Sequence, residues 1–574
     1  MKQFFVAILM ASIALSGCLD GSGDDEPNNG TGNVNDGAHD VFELLSQPYN
    51  TSLGWSQVLE AGPYDILPSQ SININVDLSA LELGAAIDPL NPPRVHMGIF
   101  MPDVPEGTVV PVIADIGPYY EDGDVAADAR DSGRLGEFLI SNFVPHGYAV
   151  AQVSVFGSGQ SNHCFDMMGD AEQAGVHAAV EYLGSQAWSN GNVGLIGRSY
   201  DGSTPWQAAA MGSEHLATIV PISGLTGIPE LMFNNGAAEL RTLLFHNVVY
   251  GQFAVDGDAE DVQNACPDYL TATATQTASV VVDGFTGPTP YFAERSFFER
   301  AKQNYDGSVY LIHGLQDWNV DPHAAMPFYQ DMQDTWETKG LFGQWDHAYP
   351  DRPGDHSDLT PGFGAEAGTA TVRYDWAQDL LLWFNYYLKE EGPKPFLQSE
   401  IQDHLGNWRV ETDYPNYDNE PMALEFGSAT ITPLGAGTEF TFSAIAEEDV
   451  IISGIPLFKA SVTALEPRGQ IYVHMENDAG TRIGTGVMDI RLADSVNPSP
   501  VVPGVPFDVE LRMEAMEAYI PAGEGFTLTV SGEGGDYLTS TGALPLTING
   551  GEFEFHARPV SQGSFFAPVP WAQE

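Results

Sequence analysis

The residues best suited to covalent chemistry lie in Val193-Gly-Leu-Ile-Gly-Arg-Ser199-Tyr-Asp-Gly202. A serine hydroxyl is a weak nucleophile at neutral pH. It needs a base to take its proton and donors to hold the oxyanion that develops on the substrate. Val193 to Ile196 reads as a short buried strand, and the small residues Ala208, Ala209 and Ala210 mark a following helix. Ser199 falls in the turn between them, with glycine two places before and three after. Glycines there relieve crowding at a sharp elbow and let the helix pack close. In that geometry the backbone N–H of Tyr200 points at the oxyanion. Pro205 falls early in the helix and brings no N–H, which opens the helix to a kink there. The competing reading is a serine in a tight turn that does no chemistry.

A strand–elbow–helix nucleophile is followed along the chain first by an acid and then by a histidine. Asp317 follows the strand Val309 to His313, where a carboxylate at a strand's C-terminal end can accept from an imidazole. His347 comes 30 residues later in Gly343-Gln-Trp-Asp-His347. Asp321 and Asp346 are rival acids and His356 a rival base. His313 reads as a core or supporting histidine.

These residues need a scaffold. Val95 to Met101, Val109 to Ala114, Gly147 to Val153, Leu216 to Ile222 and Val309 to His313 read as further strands. Val176, Ala179, Val180 and Leu183 recur at helical spacing and define one helix face. Buried strands alternating with helices predict a mostly parallel sheet covered on both faces. Residues 225–304 break the alternation and read as an inserted helical cap over the sheet edge. Tyr374 to Leu388 is an apolar helix that closes the α/β body, and Gly392-Pro393 ends it. The catalytic α/β domain is thus expected over 41–224 and 305–393. After residue 394, short strands such as Gln470 to Met475 and Phe526 to Ser531 alternate with Gly, Pro, Asn and Asp, which predicts a β-sandwich over 394–574.

The chain has 574 residues, enough for two or three domains. It carries 78 acidic against 21 basic side chains, a formal charge of −57. Such a surface repels nucleic acid and anionic lipid, so neither is an expected partner. Asp256-Gly-Asp-Ala-Glu-Asp261 looks like the start of a calcium loop but lacks that loop's glycine and distal glutamate, so no metal and no cofactor are expected. Lys2, the apolar run Phe4 to Leu15 and Leu15-Ser-Gly-Cys18 have the layout of a signal peptide, too short to span a bilayer. A cysteine at that place resembles a lipobox, which makes Cys18 the expected lipidation site, residues 1–18 a leader and residues 19–40 a flexible acidic tether. The expected location is outside the cytoplasm, held to a membrane by that lipid alone. An oxidising compartment would permit a disulfide between Cys164 and Cys266, with two separate thiols as the other reading.

The elbow, Ile312-His-Gly-Leu-Gln-Asp-Trp-Asn-Val320 and Gly343-Gln-Trp-Asp-His347 together resemble the Xaa-Pro dipeptidyl-peptidase family, which includes the cocaine-esterase-like hydrolases. The resemblance extends through Gln186-Ala-Trp-Ser-Asn-Gly-Asn-Val193 and Leu382-Trp-Phe-Asn-Tyr-Tyr-Leu388. It continues into Gly406-Asn-Trp-Arg409 and Tyr519-Ile-Pro-Ala-Gly523, which look like that family's C-terminal jelly roll. It implies an α/β-hydrolase fold with Ser199 as nucleophile, Asp317 as orienting acid and His347 as base. It further implies that a tyrosine of Gly117-Pro-Tyr119 completes the oxyanion hole with the Tyr200 N–H; the match is to Tyr119, with the adjacent Tyr120 as rival. Two departures stand out. Many relatives carry Asp and Arg where this chain has Ser154 and Phe156, before Gly157-Ser-Gly-Gln-Ser161. Relatives that cleave α-amino acid esters carry two carboxylates where this chain has Asn319 and Val320.

These readings predict acyl transfer to water. The first substrate class is an extracellular peptide cleaved after Xaa-Pro, the second an ester or amide on the same fold. A non-catalytic surface lipoprotein that binds ligands through its β-sandwich is the reading from another class.

Overall fold

The computed structural model describes Leu59 and residues 61–560, apart from 82–86, 88, 121–134, 241–288 (save 266, 271 and 275), 318, 352–372, 374, 404–407, 412–413, 416–420, 434–438, 494–497, 535–536, 539–541 and 543. The expected leader, lipidation site Cys18, tether, calcium-like stretch 256–261 and rival base His356 all lie outside the described residues, as does most of the expected cap.

One ten-stranded sheet carries the chain from Gln70 to Glu411. Its strands in chain order are β1 (Gln70–Asn75), β2 (Arg94–Phe100), β3 (Val110–Gly117), β4 (Ala149–Ser154), β5 (Ser189–Arg198), β6 (Leu216–Ile222), β9 (Ser308–Gly314), β10 (Thr338–Gly343), β11 (Ser399–Gln402) and β12 (Trp408–Glu411), with a small separate hairpin of β7 (Phe233–Asn234) and β8 (Ala237–Ala238) between β6 and β9. The spatial order is β1-β2-β4-β3-β5-β6-β9-β10-β11-β12. Strands β4 to β11 in that order are mutually parallel, and β1, β2 and β12 add antiparallel edges.

The residues explain the layering. β3 and β4 are buried along their whole length, as near-continuous apolar strands must be when helices cover both faces. Alternate side chains go to opposite cores. Val112, Ala114 and Ile116 pack with Val176, Ala179, Val180 and Leu183 of helix Asp170–Ser185 and with Trp206 and Ala208 of helix Tyr200–Met211. Ile113 and Val150 pack on the other face with Phe138 and Phe143 of helix Gly136–Phe143 and Trp383 and Phe384 of helix Trp376–Lys389. No helix among the described residues is long and apolar enough to cross a membrane.

The change of pattern expected at residue 394 comes later in the hydrogen bonding. β11 and β12 still belong to the hydrolase sheet, β11 pairing parallel with β10. The all-β sheets begin at Met422. One contains the long strands Val450–Ala464 and Leu546–Pro559, and the other contains Phe440–Ile445, Gln470–Asn477, Arg482–Asp489 and Gly525–Ser531. Phe458, Val462 and Phe553 from the first sheet share a core with Val473, Met475, Leu528 and Val530 from the second. Within 225–304 the described pieces are the short helices Ile228–Met232, Pro290–Glu294 and Phe298–Asn304 and the β7–β8 hairpin.

Candidate active site

The order in which strands are added across the sheet reverses at β3. From β3 the next strand is laid on one side as β4, and β5 returns to pair with β3 on the other, Ala114 lying opposite Leu195. Loops leaving the C-terminal ends of parallel strands at such a switch form a crevice. The Gly117-Pro-Tyr119 turn leaves β3 there, and Ser199 leaves β5.

Ser199 holds φ 67° and ψ −124°, a conformation that non-glycine residues rarely adopt. Strain of this kind persists only where the surroundings impose it. Here the Ser199 N–H donates to Ile222 O (3.0 Å) and Ser203 Oγ donates to Ser199 O (2.8 Å). The turn after β3 is pressed against the elbow, since a Cβ on Gly117 would lie 1.5 Å from Asp201 Oδ1. Pro205 sits inside helix Tyr200–Met211, which runs through it. The Asp201 carbonyl, which a residue at 205 with an N–H would have bonded, accepts instead from Thr204 Oγ1 (3.0 Å), a hydroxyl that also reaches Ile116 O (2.8 Å).

The acid and base come from the two strands beyond. Asp317 follows β9, and its carboxylate is fully buried. Its Oδ1 accepts from the N–H groups of Asn319 and Val320 (both 2.9 Å), and its Oδ2 lies 2.8 Å from His347 Nδ1. Burial alone would raise this carboxyl's pKa. The adjacent imidazole outweighs that, by its charge and its hydrogen bond, and holds Asp317 down to about 2. Asp317 is therefore an anion throughout the neutral range. The rivals have other places: Asp346 Oδ1 accepts from the His347 N–H (2.6 Å), and Asp321 stands beside His323. His313 is fully buried on β9 with Nε2 2.9 Å from Val320 O, and burial lowers its pKa, as suits a neutral supporting histidine.

Tyr119 and Tyr200 meet edge to face, ring centroids 6.3 Å apart at 85°. Tyr120 packs into the opposite core, with Phe138 and Trp345. Cys164 and Cys266 are bonded to each other. The pair of separate thiols is thereby set aside. Where relatives carry an Asp and an Arg, Ser161 closes the loop: its Oγ donates to Ser154 O (2.7 Å) and accepts from the His96 N–H (2.8 Å).

Residues 93–349 match the model of a family described as X-Pro dipeptidyl-peptidase (S15 family). Over these residues the chain is similar to the Xaa-Pro dipeptidyl-peptidases. A putative Xaa-Pro dipeptidyl-peptidase of Streptomyces avermitilis is 27% identical over 356 residues, covering 58% of this chain and 48% of the relative. One from Bacillus anthracis is 24% identical, covering 60% of this chain and 58% of the relative. The chain thus spans about half the length of the curated relatives it matches. Among solved structures, a CocE/NonD family hydrolase from Staphylococcus aureus superposes with a TM-score of 0.62 at 14% identity, covering 87% of this chain and 97% of that one. An α-amino acid ester hydrolase superposes with a TM-score of 0.61 at 15% identity, covering 89% and 99%. These likenesses establish the shared fold, an α/β hydrolase followed by a β domain.

Three contributors escaped the sequence reading. Arg198 donates from Nη1 to His347 O (3.0 Å). Glu172, within helix Asp170–Ser185, accepts from the Tyr200 hydroxyl (2.6 Å). Glu514, from the β domain, pairs with His323 at 2.9 Å, just beyond the Asp317 loop. Burial opposes the His323 cation, but the Glu514 carboxylate prevails and raises its pKa. Each partner is far away in sequence, and no local pattern marks such a pair.

Proposed function

We propose that the chain is a serine hydrolase that works through an acyl-enzyme, with Ser199 as nucleophile, His347 as base and Asp317 as orienting acid. The observation that carries this reading is the 2.8 Å contact between His347 Nδ1 and the buried Asp317 carboxylate, beyond the same C-terminal ends of the parallel strands as the strained Ser199 elbow. A carboxylate at Nδ1 fixes the tautomer that leaves Nε2 free to take a proton, and it stabilises the imidazolium that results. His347 deprotonates Ser199, which attacks the carbonyl. The Tyr119 hydroxyl and the Tyr200 N–H hold the oxyanion, and His347 then protonates the leaving group. Water repeats the sequence to release the acyl group.

The family likeness supports an Xaa-Pro dipeptidyl-peptidase acting on extracellular peptides. That substrate requires an apolar pocket for proline and an anionic site for the free amine, and we assign both to the cap, residues 225–304. The fold likeness to a CocE/NonD family hydrolase supports the second reading, an esterase or acylase of the cocaine-esterase-like group. The β domain is read as a jelly roll, and Cys18 as a lipid anchor that holds the protein on the outer side of a membrane.

Hydrolysis of an Ala-Pro anilide and of a short-chain nitrophenyl ester, measured side by side, separates the two substrate classes. A higher kcat/KM on the anilide is expected. Turnover surviving Ser199→Ala in a folded protein would overturn the nucleophile assignment.

A further inference from the structure

We propose that Glu172 is a positioning residue for the oxyanion hole, acting through Tyr200 on both of its donors; this rests on the reading of Ser199 as nucleophile. Glu172 lies in the first turn of helix Asp170–Ser185 and is 1% exposed. A buried acid in that place needs a reason, because a hydrophobic residue of its size would pack there without the cost of burying a charge.

Its partners supply the reason. Glu172 Oε2 accepts from the Tyr200 hydroxyl (2.6 Å) and from the Met168 N–H (3.2 Å), and Oε1 accepts from Gln207 Nε2 (3.0 Å). All three partners donate to it, and the two that tie the elbow to the loop, Tyr200 and Met168, share one acceptor oxygen, Oε2. Tyr200 and Gln207 lie about two turns apart on one face of the helix that Ser199 opens. Glu172 therefore grips that helix at its first residue, the one whose N–H faces the oxyanion.

The grip extends to the second donor. The Tyr200 ring, fixed at its hydroxyl end, packs against Tyr119 in a T-shaped contact at 6.3 Å. On another side it meets Phe165, with centroids 5.9 Å apart. Phe165 follows the bonded Cys164, and its carbonyl accepts from the Cys266 N–H (2.8 Å). The Met168 N–H that Glu172 also holds ends a loop with three non-glycine residues at positive φ: His163 at 79°, Met167 at 51° and Met168 at 62°. That loop is tied further by Gln173 Nε2 to Met168 O (2.8 Å) and by Arg295 Nε to Met167 O (3.0 Å). A single carboxylate thus joins the elbow helix to the strained loop, and Tyr200 is the strut between them. A displacement of about 1 Å at the oxyanion donors is enough to lower the rate by as much as 100-fold.

The test uses the full-length enzyme and two readouts. One is the rate at which a fluorophosphonate labels Ser199, which needs the oxyanion hole but no particular substrate. The other is kcat and KM on the better of the two substrates above. Tyr200→Phe and Glu172→Ala should each lower the labelling rate and kcat by about tenfold, with KM nearly unchanged. The double variant should be no slower than the slower single, because both remove one connection. Glu172→Gln keeps an acceptor oxygen and should restore most of the rate. Wild-type rates in Tyr200→Phe overturn the proposal, even if Glu172→Ala fails to fold. So do additive losses in the double variant, or a Glu172→Gln as slow as Glu172→Ala. A wild-type enzyme that the probe does not label overturns the nucleophile assignment itself, and the positioning role with it.

Discussion

Arg198 Nη1 donates to the main-chain oxygen of His347 at 3.0 Å, so the residue before the elbow serine holds the loop that carries the base. The same guanidinium lies 4.5 Å over the Tyr349 ring. The nucleophile's strand and the base's loop, 149 residues apart, are therefore tied directly to each other. Arg198→Met keeps the bulk of the stem and removes both contacts. It should lower kcat by about 10- to 100-fold with a much smaller change in KM, as expected when a base is misplaced and substrate binding is not. Equal losses in kcat and in thermal stability, followed together by activity and melting assays, would instead make Arg198 a general stabiliser.

Asp317→Asn tests the acid. The amide keeps the shape and can still accept at one position, but it cannot stabilise an imidazolium and it accommodates the wrong tautomer. A loss of about 10³- to 10⁴-fold in kcat is expected, with the fold intact. A loss below tenfold, read by steady-state kinetics on a variant with native circular dichroism, would move the acid's role to Asp346 or Asp321.

The elbow, the order of serine, acid and base, and the central strands β2 to β6 and β9 are legible because each is a local pattern. Ser199 is announced by its flanking glycines, and β3 by a nearly continuous apolar run. What is not legible depends on distant partners. β1 and β12 are edge strands whose assignment comes from pairing with β2 and β11. β11, Ser399–Gln402, is short and polar, and its parallel pairing with β10 carries the hydrolase sheet past residue 393. Glu172 reads as an ordinary acid in the first turn of a helix, and only the fold brings Tyr200 to it. Tyr119 and Tyr120 cannot be separated by spacing. The turn after β3 separates them, sending one ring to each core.

Asp166 predicts a pH dependence of stability. Burial is the main cause, with the Glu172 charge adding to it, and together they push its pKa up to about 7 from 3.8. The unfolded chain releases this proton near pH 4, while the folded chain keeps it. Between those values the folded state binds more protons, so stability is fullest at the acid end and declines as pH rises through about 7. Asp166→Asn should flatten that part of the curve. Urea denaturation of both proteins at several pH values across the window measures it, and parallel curves would sink the assignment.

Gly202 predicts a steric limit on the elbow. A Cβ there would lie 2.5 Å from Ile222 O, the carbonyl that receives the Ser199 N–H, and 3.1 Å from Gly224 Cα. Both obstacles are main chain and cannot rotate away. Gly202→Ala should destabilise the protein by about 1–3 kcal/mol and slow labelling of Ser199, because relief requires moving the Ile222 carbonyl. A variant with wild-type melting and wild-type labelling would mean that the helix can retreat from β6 without disturbing the nucleophile.

The bond between Cys164 and Cys266 closes a loop of 102 residues that contains the elbow. Cross-linking so long a loop restricts the unfolded chain, and removing such a bond usually costs about 2–5 kcal/mol. The double variant Cys164→Ser/Cys266→Ser should therefore melt lower than the parent under oxidising conditions and at the same temperature as the reduced parent. Its kinetics should also change. Phe165 is held through its carbonyl by the Cys266 N–H, and its ring rests against Tyr200. Release of that strand of chain should loosen Tyr200 and lower kcat by less than the loss in Glu172→Ala, since the Glu172 hydrogen bond remains. Melting and kcat measured with and without reductant check both effects, and a reduced parent that matches the oxidised one in each would show that the bond carries neither.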